Sequence, residues 1–220
     1  YPERYTIYFW MQCDALPVSE FATAGSPDDA VSVSYTSGST GHPKGVVHTH
    51  ASWLASAAYT ADHVGLGKGD PVVLPLPIHH GLAFRQMLTC LTAGADLVLA
   101  TDIFQALMRV RTLRPTAIVL VPTAVNILID RFAELLTEAD AFLRYIEVGS
   151  AAIAPDQLRR LQALLPTTRI HLPYGLTEAR VGYLKRGEAG LYNQIASVSP
   201  GLSVTLQDDN GRAVSAGDVG

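Results

Sequence analysis

The sequence contains few cysteines and no long apolar run, and each shortage excludes a class of protein. Among 220 residues there are two cysteines, Cys13 and Cys90, with no CxxC pair and no disulfide framework, so we expect reduced cysteines that fill core space. No stretch reaches the roughly 18 apolar residues that a membrane-spanning helix requires. The first residues lack the layout of a signal peptide. We therefore expect a cytoplasmic protein without a membrane span.

Clusters of positive charge are also missing. The 16 Lys and Arg residues are outnumbered by 20 Asp and Glu residues, which gives a formal net charge of −4. Nucleic-acid binding requires a concentrated basic surface, so we expect no nucleic-acid partner. The chain does contain apolar material, because 48% of its residues are hydrophobic, and this is enough for a sizeable core. Small molecules are the expected ligands of such a globular domain.

From residue 31 onward, short β-rich runs alternate with helical patterns. The predicted strands cover residues 31–35, 71–76, 95–100, 116–121, 144–149 and 169–172, and the predicted helices cover residues 50–64, 82–93, 103–113, 123–135 and 155–165. Several strands are apolar at consecutive positions, as strands covered on both faces tend to be. The alternation predicts an α/β fold with a mostly parallel sheet flanked by helices. Near the C-terminus, Asn210 and Gly211 predict the turn of a β-hairpin.

One loop in this pattern is rich in glycine and hydroxyl groups. Residues 35–45 read YTSGSTGHPKG, with three glycines and Lys44 close to the end. Glycine lets a backbone approach a ligand closely, while the hydroxyls, the backbone N–H groups and the lysine supply donors and positive charge. These are the components of a polyphosphate-binding loop. An ordinary surface turn has a similar composition, so the loop has to be judged by its context.

Two common nucleotide-binding signatures do not match this loop. A Walker loop places its lysine directly after glycine and before Ser or Thr, and a helix follows. Here Lys44 follows Pro43 and precedes Gly45, and the next residues, VVH, continue as a strand. The GxGxxG fingerprint of dinucleotide-binding folds does not occur in the chain. A phosphotransferase of the P-loop type is therefore disfavoured.

Four segments, in the same order, resemble the adenylate-forming superfamily of acyl-CoA and aryl-CoA synthetases, peptide-synthetase adenylation domains and luciferases. SYTSGSTGHPKGVVHTH, at residues 34–50, resembles the phosphate-binding signature of that family. PLPIHHG (75–81) resembles its histidine motif, VGSAAIAP (148–155) its adenine-side segment, and YGLTEA (174–179) its aromatic-Gly-x-Thr-Glu motif. The resemblance extends over residues 28–220.

This resemblance implies an activity, cofactors and partners. In the family, ATP activates a carboxylic acid to an acyl-adenylate and pyrophosphate is released. A thiol, that of CoA or of a carrier-protein phosphopantetheine arm, usually takes the acyl group in a second step. The implied enzyme is an acid–thiol ligase that uses ATP and Mg²⁺, and its implied partners are a small carboxylic acid and either CoA or an acyl carrier protein.

The resemblance also implies roles for individual residues. Lys44 is expected at the β and γ phosphates, Thr177 at the α phosphate, and Glu178 at Mg²⁺, directly or through water, because Mg²⁺ prefers hard oxygen ligands. His80 is expected beside the carboxylate of the acid, although His79 fits the same motif in a neighbouring register. These residues, Lys44, His80, Thr177 and Glu178, form the expected catalytic set. The expected nucleotide-binding set is Thr36, Ser37, Gly38, Ser39, Thr40, Gly41, Lys44, Gly149, Ser150, Ala151, Ala152, Tyr174, Gly175 and Thr177.

The chain departs from the family pattern at a few positions and in its extent. Ser150 and Ala152 stand where glycine and proline are commoner, and Ser39 stands where threonine is commoner. We expect residues 1–220 to be part of the N-terminal, large AMP-binding domain, with the small C-terminal lid domain and its lysine outside this chain. The 220 residues alone are therefore expected to be inactive. The alternative is a truncated protein that binds a nucleotide or acyl-AMP without turnover.

Several other residues near the motifs are assigned structural roles. His48 and His50 are expected at a strand end and a helix cap, because nothing nearby completes a metal site. Trp53 and Tyr59 are expected to pack into the core from a helix face. By family analogy, residues 121–126 and 179–183 are expected to line the acid pocket.

Overall fold

A computed structural model describes residues 25–36, 42–186 and 192–214 of the chain. The strands are β1 (Ala30–Thr36), β2 (Lys44–Thr49), β3 (Pro71–Leu74), β4 (Asp96–Leu99), β5 (Ala117–Leu120), β6 (Tyr145–Val148), β7 (Arg169–Gly175), β8 (Arg180–Arg186) and β9 (Tyr192–Val198). The helices are α1 (His50–Val64), α2 (Gly81–Ala93), α3 (Ile103–Leu113), α4 (Pro122–Arg131), α5 (Ala133–Ala139) and α6 (Pro155–Leu164).

Seven of these strands form one sheet in the order β4-β3-β5-β6-β7-β8-β9. The first five strands in that order are parallel, and β8 and β9 continue the sheet in antiparallel fashion. The predicted α/β fold with a mostly parallel sheet flanked by helices is therefore confirmed. The predicted C-terminal hairpin is also found, as an antiparallel bridge between Gln207 and Ala213.

The parallel strands are buried because helices cover both of their faces. Strands β5 (AIVL) and β6 (YIEV) are buried at every position. On one face, Val73, Ile118 and Ile146 pack in a cluster with side chains of α3, α4 and α6. On the other face, Val72, Val119 and Tyr145 pack in a cluster with side chains of α1 and α2. Consecutive apolar residues in the sequence therefore correspond to strands with a core on each side.

Local sequence signals set the ends of α1 and α2. Thr49 caps the start of α1, because its side chain accepts from the Ser52 N–H while Ser52 in turn accepts from the Thr49 N–H. This is a capping box, which satisfies two backbone donors at once. Helix α2 ends at Gly94, as predicted, where φ is +67°. Glycine adopts this left-handed conformation without the cost that a Cβ atom imposes.

The structure differs from the sequence-based expectations in three parts of the fold. The strand predicted at residues 31–35 pairs with β2 in a separate two-stranded antiparallel sheet. The helix predicted at 123–135 is divided at Phe132, whose backbone leaves the helical region and whose ring meets Phe104 edge-on. The Phe132 side chain packs against the main core cluster, and tertiary packing of this kind can override a local helical preference. Strands β8 and β9 carry no strong apolar pattern and were not predicted.

Candidate active site

The loops that follow three parallel strands meet at one cleft at the carboxyl edge of the sheet. The cleft has a volume of about 1210 Å³, and ligands of open α/β sheets bind at this edge. Helix α1 forms one wall with Ser52, Trp53, Ser56, Tyr59 and Asp62, and α2 contributes Leu82 and Arg85. The predicted site residues that line the cleft are His80, Ser150, Tyr174, Gly175, Thr177 and Glu178, and His79 lines it as well.

A tight turn between β7 and β8 presents two of the predicted catalytic residues. The Leu176 N–H donates to the Ala179 carbonyl at 2.8 Å, and the Ala179 N–H donates back to the Leu176 carbonyl at 3.3 Å. Thr177 and Glu178 lie at the tip of this turn and are exposed. Tyr174, at the end of β7, is 48% exposed. All three side chains are accessible to a ligand in the cleft.

The loop after β6 begins with a residue that has to be glycine. A Cβ atom on Gly149 would lie 2.7 Å from Pro173 Cγ and 3.2 Å from Leu82 Cδ2, which is too close for any other side chain. Gly149 is therefore buried behind the cleft wall that Pro173 and Leu82 form. The next residue, Ser150, lines the cleft with φ at +71°. This left-handed conformation explains why glycine suits the position better.

Ala151 and Ala152, the other predicted residues of this loop, are exposed and do not line the cleft. Their predicted contact with the nucleotide therefore stays a prediction.

The histidine motif lies at the start of α2. His80 is the residue before the helix, and the rings of His79 and His80 are 4.5 Å apart. Both rings are exposed and both line the cleft. Each histidine is therefore a candidate for the contact with the carboxylate of the acid, and the two registers of the motif remain open.

The ends of the predicted phosphate loop lie on β1 and β2. Thr36 and Lys44 are directly opposite each other in the antiparallel register of these strands, while Ser37, Gly38, Ser39, Thr40 and Gly41 lie outside the described residues. Neither Thr36 nor Lys44 lines the cleft, but Tyr35, the neighbour of Thr36, does so. Lys44 is exposed. The loop therefore begins beside the cleft, and the contact of Lys44 with phosphate stays a prediction.

A buried ion pair lies beneath the cleft and joins three of the elements around it. Glu147 on β6 is 0% exposed; its Oε1 accepts from the Arg85 guanidinium on α2, and its Oε2 accepts from the Tyr183 hydroxyl on β8 at 3.0 Å. Burial lowers the pKa of Arg85, and Glu147 opposes this effect. Burial and the Glu147 charge both raise the pKa of Tyr183, so its hydroxyl keeps its proton and remains a donor.

His48, which was expected only as a strand end, also lines the cleft. Burial lowers the pKa of His48, and the nearby Glu178 charge opposes this effect. Its ring centroid lies 4.8 Å from that of Trp53. Within the described residues, His48 Nε2 has no hydrogen-bond partner. The imidazole is therefore a polar group that a ligand can contact, and its place in the segment HTH gave no sign of this.

The walls of the cleft match the expectations only in part. Trp53 and Tyr59 do not pack only into the core: both are half-buried and line the cleft, and Trp53 Nε1 also donates to Ser32 Oγ at 2.9 Å. Of residues 179–183, Ala179 and Arg180 line the cleft, whereas residues 121–126 are not among the described residues around it. Arg85 and Ser199 also line the cleft, and neither was among the predicted site residues.

Glu178, the residue predicted to bind Mg²⁺, places one carboxylate in the cleft. Across the described ranges, no three His, Cys, Asp or Glu side chains are grouped closely enough to hold a metal ion by themselves. Magnesium is commonly bound by one or two carboxylates together with water and substrate phosphates. Glu178, exposed at the turn tip, fits this kind of site. None of the helices described here is long and apolar enough to cross a membrane.

The fold and the order of the motif segments are those of adenylate-forming enzymes, and comparison with known proteins agrees. Residues 9–220 match the family model described as AMP-binding enzyme, so the chain belongs to this family. It is 31% identical over 188 residues to the long-chain-fatty-acid–CoA ligase FadD13 of Mycobacterium tuberculosis, which covers 79% of this chain and 36% of the relative.

Two further similarities support the same family. The chain is 32% identical over 200 residues to the L-proline–[L-prolyl-carrier protein] ligase of Streptomyces coelicolor, covering 86% of this chain and 37% of the relative. The inhibitor-bound N-terminal domain of FACL13 from Mycobacterium tuberculosis superposes with a TM-score of 0.75 at 27% identity, over 91% of this chain and 51% of that structure. The chain thus spans between 36% and 51% of the length of these relatives.

Proposed function

We propose that the full-length natural protein uses ATP to activate a carboxylic acid as an acyl-adenylate, releases pyrophosphate, and passes the acyl group to a thiol. The observation that carries this proposal is the single cleft around which His80, Ser150 and Glu178 lie, although they come from three separate loops. Membership of the AMP-binding enzyme family supports the proposal.

The first step needs little proton transfer. A carboxylic acid with an ordinary pKa near 4 is already ionised at pH 7, so its oxygen can attack the α phosphorus directly. The bond between that phosphorus and the bridging oxygen breaks, and pyrophosphate leaves with the electron pair. The obstacle is repulsion between the carboxylate and the polyphosphate. The main tasks of the protein are therefore to position the reactants and to stabilise negative charge.

The β7–β8 turn and the loop after β6 are suited to the nucleotide. Tyr174 offers an exposed ring face to adenine beside Ser150. The Thr177 hydroxyl, at the turn tip, donates to the α phosphate in this proposal. Glu178 is the one protein carboxylate proposed for Mg²⁺, which when bound supplies positive charge to phosphate oxygens. Lys44, which lies close to the end of the predicted phosphate loop, is proposed to bind the β and γ phosphates.

The helix side of the cleft is suited to the acid. Trp53, Tyr59 and Leu82 provide apolar and aromatic surface there, which stabilises the carbon skeleton of an acid through burial. His79 and His80 stand at the start of α2 beside this surface and can donate to the carboxylate. The acid would thus lie between α1, α2 and the turn that carries Thr177.

In the second step of the proposed reaction, the acyl group passes to a thiol, which belongs either to CoA or to an acyl carrier protein. One relative is named as a CoA ligase and another as a carrier-protein ligase. Both acceptors present a phosphopantetheine thiol, so the chemistry of thioester formation is the same. We propose CoA and an acyl carrier protein as the two candidates to be compared directly.

The test is pyrophosphate release by the full-length protein with a panel of carboxylic acids, followed by thioester detection with CoA or a phosphopantetheinylated carrier. Glu178→Gln serves as the matched control, because it keeps the shape of the side chain and removes its charge. Acid-dependent pyrophosphate release that Glu178→Gln suppresses would support the proposal. Nucleotide binding without release for any acid would instead favour the non-catalytic alternative.

A further inference from the structure

Arg180, the first residue of β8, lines the cleft two positions after Glu178. Its guanidinium carbon lies 4.5 Å from the centroid of the Tyr183 ring. The guanidinium nitrogens Nε, Nη1 and Nη2 are all buried, and none has a hydrogen-bond partner in residues 25–36, 42–186 or 192–214. Burying a guanidinium that has no hydrogen-bond partner costs free energy unless an anion compensates its charge.

The acidic side chains near Arg180 do not neutralise it. Glu147 forms its ion pair with Arg85, and its second oxygen accepts from Tyr183, so neither oxygen contacts Arg180. The acidic residues that line the cleft are Asp62 and Glu178, and neither forms an ion pair with Arg180 in the described part of the chain. Arg85 therefore has a counter-ion, and Arg180 stands beside it without one.

A second unpartnered donor lies next to Arg180. The Ser199 N–H donates to the Val181 carbonyl at 2.8 Å, which fixes Ser199 beside the start of β8. The Ser199 hydroxyl is buried and lines the cleft, and among the described residues it has no hydrogen-bond partner. A guanidinium and a hydroxyl together suit a carboxylate, because Arg can bind one in a bidentate manner.

The sheet pairing separates Arg180 from the proposed adenine side. Pro173 pairs with Tyr183, whereas Tyr174 pairs with Gly182, and consecutive residues of a strand face opposite sides of a sheet. Tyr183 faces the helices, where it stacks on His63 of α1 with ring centroids 3.8 Å apart. The register shifts by one residue after these two strand pairs, so Arg180 pairs with Gly175, which shares its face with Pro173. Arg180 therefore packs on Tyr183 and lies on the helix side of the cleft, the side proposed for the acid.

We propose that Arg180, assisted by Ser199, binds a second carboxylate on the acid substrate, so that the preferred acids are dicarboxylic. This inference rests on the proposed acid-activating function. The guanidinium lies against Tyr183, and a change of its side-chain torsions turns it toward an anion in the cleft. The reacting carboxylate is left for His79 and His80. The second carboxylate serves as the counter-ion of Arg180, a role that no described residue fills.

The experiment uses the full-length protein and pairs of acids that differ only in a terminal carboxylate: butyrate and succinate, pentanoate and glutarate, hexanoate and adipate. Pyrophosphate release gives kcat/KM for each acid, and calorimetry gives the affinity for each acid and for ATP. The variants are Arg180→Gln, Arg180→Lys and, as a matched control, Arg159→Gln, since Arg159 is an exposed residue on α6.

We expect the wild-type protein and Arg159→Gln to prefer at least one diacid over its monoacid by about 10-fold or more, the size of a charged hydrogen bond. Arg180→Gln should lose that preference while keeping its affinity for ATP, and Arg180→Lys should retain part of it. Retained ATP affinity also shows that the variants fold.

Three results would overturn the inference. The first is that the wild-type protein has the same kcat/KM for each monoacid as for its matching diacid. The second is that Arg180→Gln lowers kcat/KM equally for a monoacid and its diacid. The third is that this variant loses affinity for ATP, which would assign Arg180 to the nucleotide. Failure of the proposed function looks different, because no acid would then release pyrophosphate. Calorimetry with the diacids still tests the inference in that case. If Arg180→Gln binds the diacids as tightly as the wild-type protein does, the proposed role of Arg180 is rejected.

Discussion

Removing the buried carboxylate of Glu147 should destabilise the domain more than any surface change. The variant Glu147→Leu keeps a similar volume but leaves Arg85 as a buried cation without its counter-ion and Tyr183 without its acceptor. Breaking a buried ion pair by removing one partner costs about 3–5 kcal/mol, and an unsatisfied buried hydroxyl costs about 1–3 kcal/mol. These costs overlap, because both describe the same lost carboxylate, so we expect about 4 kcal/mol.

The cost of Glu147→Leu should be reversible by removing its former partners. The triple variant Glu147→Leu, Arg85→Met, Tyr183→Phe replaces the network with apolar side chains of similar size. Replacing a whole buried ion pair in this way is often neutral or stabilising by about 1–4 kcal/mol. We therefore expect the triple variant to recover most of the stability that the single variant loses. A matched surface pair, Arg160 and Asp130, is exposed, and removing Asp130 should cost under about 1 kcal/mol.

The measurement is urea denaturation of the full-length protein, monitored with a probe in the large domain. The shift of the transition midpoint, multiplied by the slope, gives the change in free energy of unfolding. A loss below about 1 kcal/mol for Glu147→Leu would contradict a cost of several kcal/mol for an unpaired buried charge. A triple variant no more stable than the single variant would show that packing, and not the unpaired charge, causes the loss.

Three further predictions concern single residues around the cleft. Lys44→Ala should weaken ATP binding about 10-fold and leave AMP binding nearly unchanged, since a charged hydrogen bond to the β or γ phosphate is lost; equal losses in calorimetry would remove Lys44 from the phosphates. Glu178→Gln should raise the Mg²⁺ concentration needed for half-maximal adenylation about 10-fold or more, and an unchanged Mg²⁺ dependence would exclude Glu178 from the metal site. Ser150→Gly should stabilise the domain by about 0.5–1 kcal/mol by relieving the left-handed φ, whereas Ser150→Ala should give no gain in the same denaturation assay.

Most of the parallel sheet could be predicted from the sequence, because its strands are short apolar runs that no amphipathic helix would show. Strands β3, β5 and β6 all fall within predicted strands. Strands β8 and β9 could not be predicted in this way. The run RVGYLKR mixes charges with one glycine, and its strand conformation depends on pairing with β7. Non-local hydrogen bonding decided those two elements.

The site was predictable to the extent that it lies in contiguous motifs. Tyr174, Thr177 and Glu178 lie within five consecutive residues at the end of β7 and on the turn after it, so a short resemblance was enough to find them. His48 and Trp53 reach the same cleft from the adjoining elements β2 and α1, and Ser199 reaches it from the distant end of β9. Only the packing of α1 and the end of β9 against the sheet brings them together, and no pattern within their own segments encodes that packing.

The sequence did contain one unused signal for the buried network. Glu147 stands in the run RYIEVG, in which its neighbours read as a fully buried strand, and Arg85 directly follows the apolar run LAF at the start of its helix. Ionised side chains are almost never fully buried unless they are paired, so two opposite charges in two buried elements predict an ion pair. That pairing has a consequence for Arg180. Once Glu147 is assigned to Arg85, no buried acid among the described residues is left for Arg180, which follows YGLTEA, and this is why we propose that a ligand supplies its counter-ion.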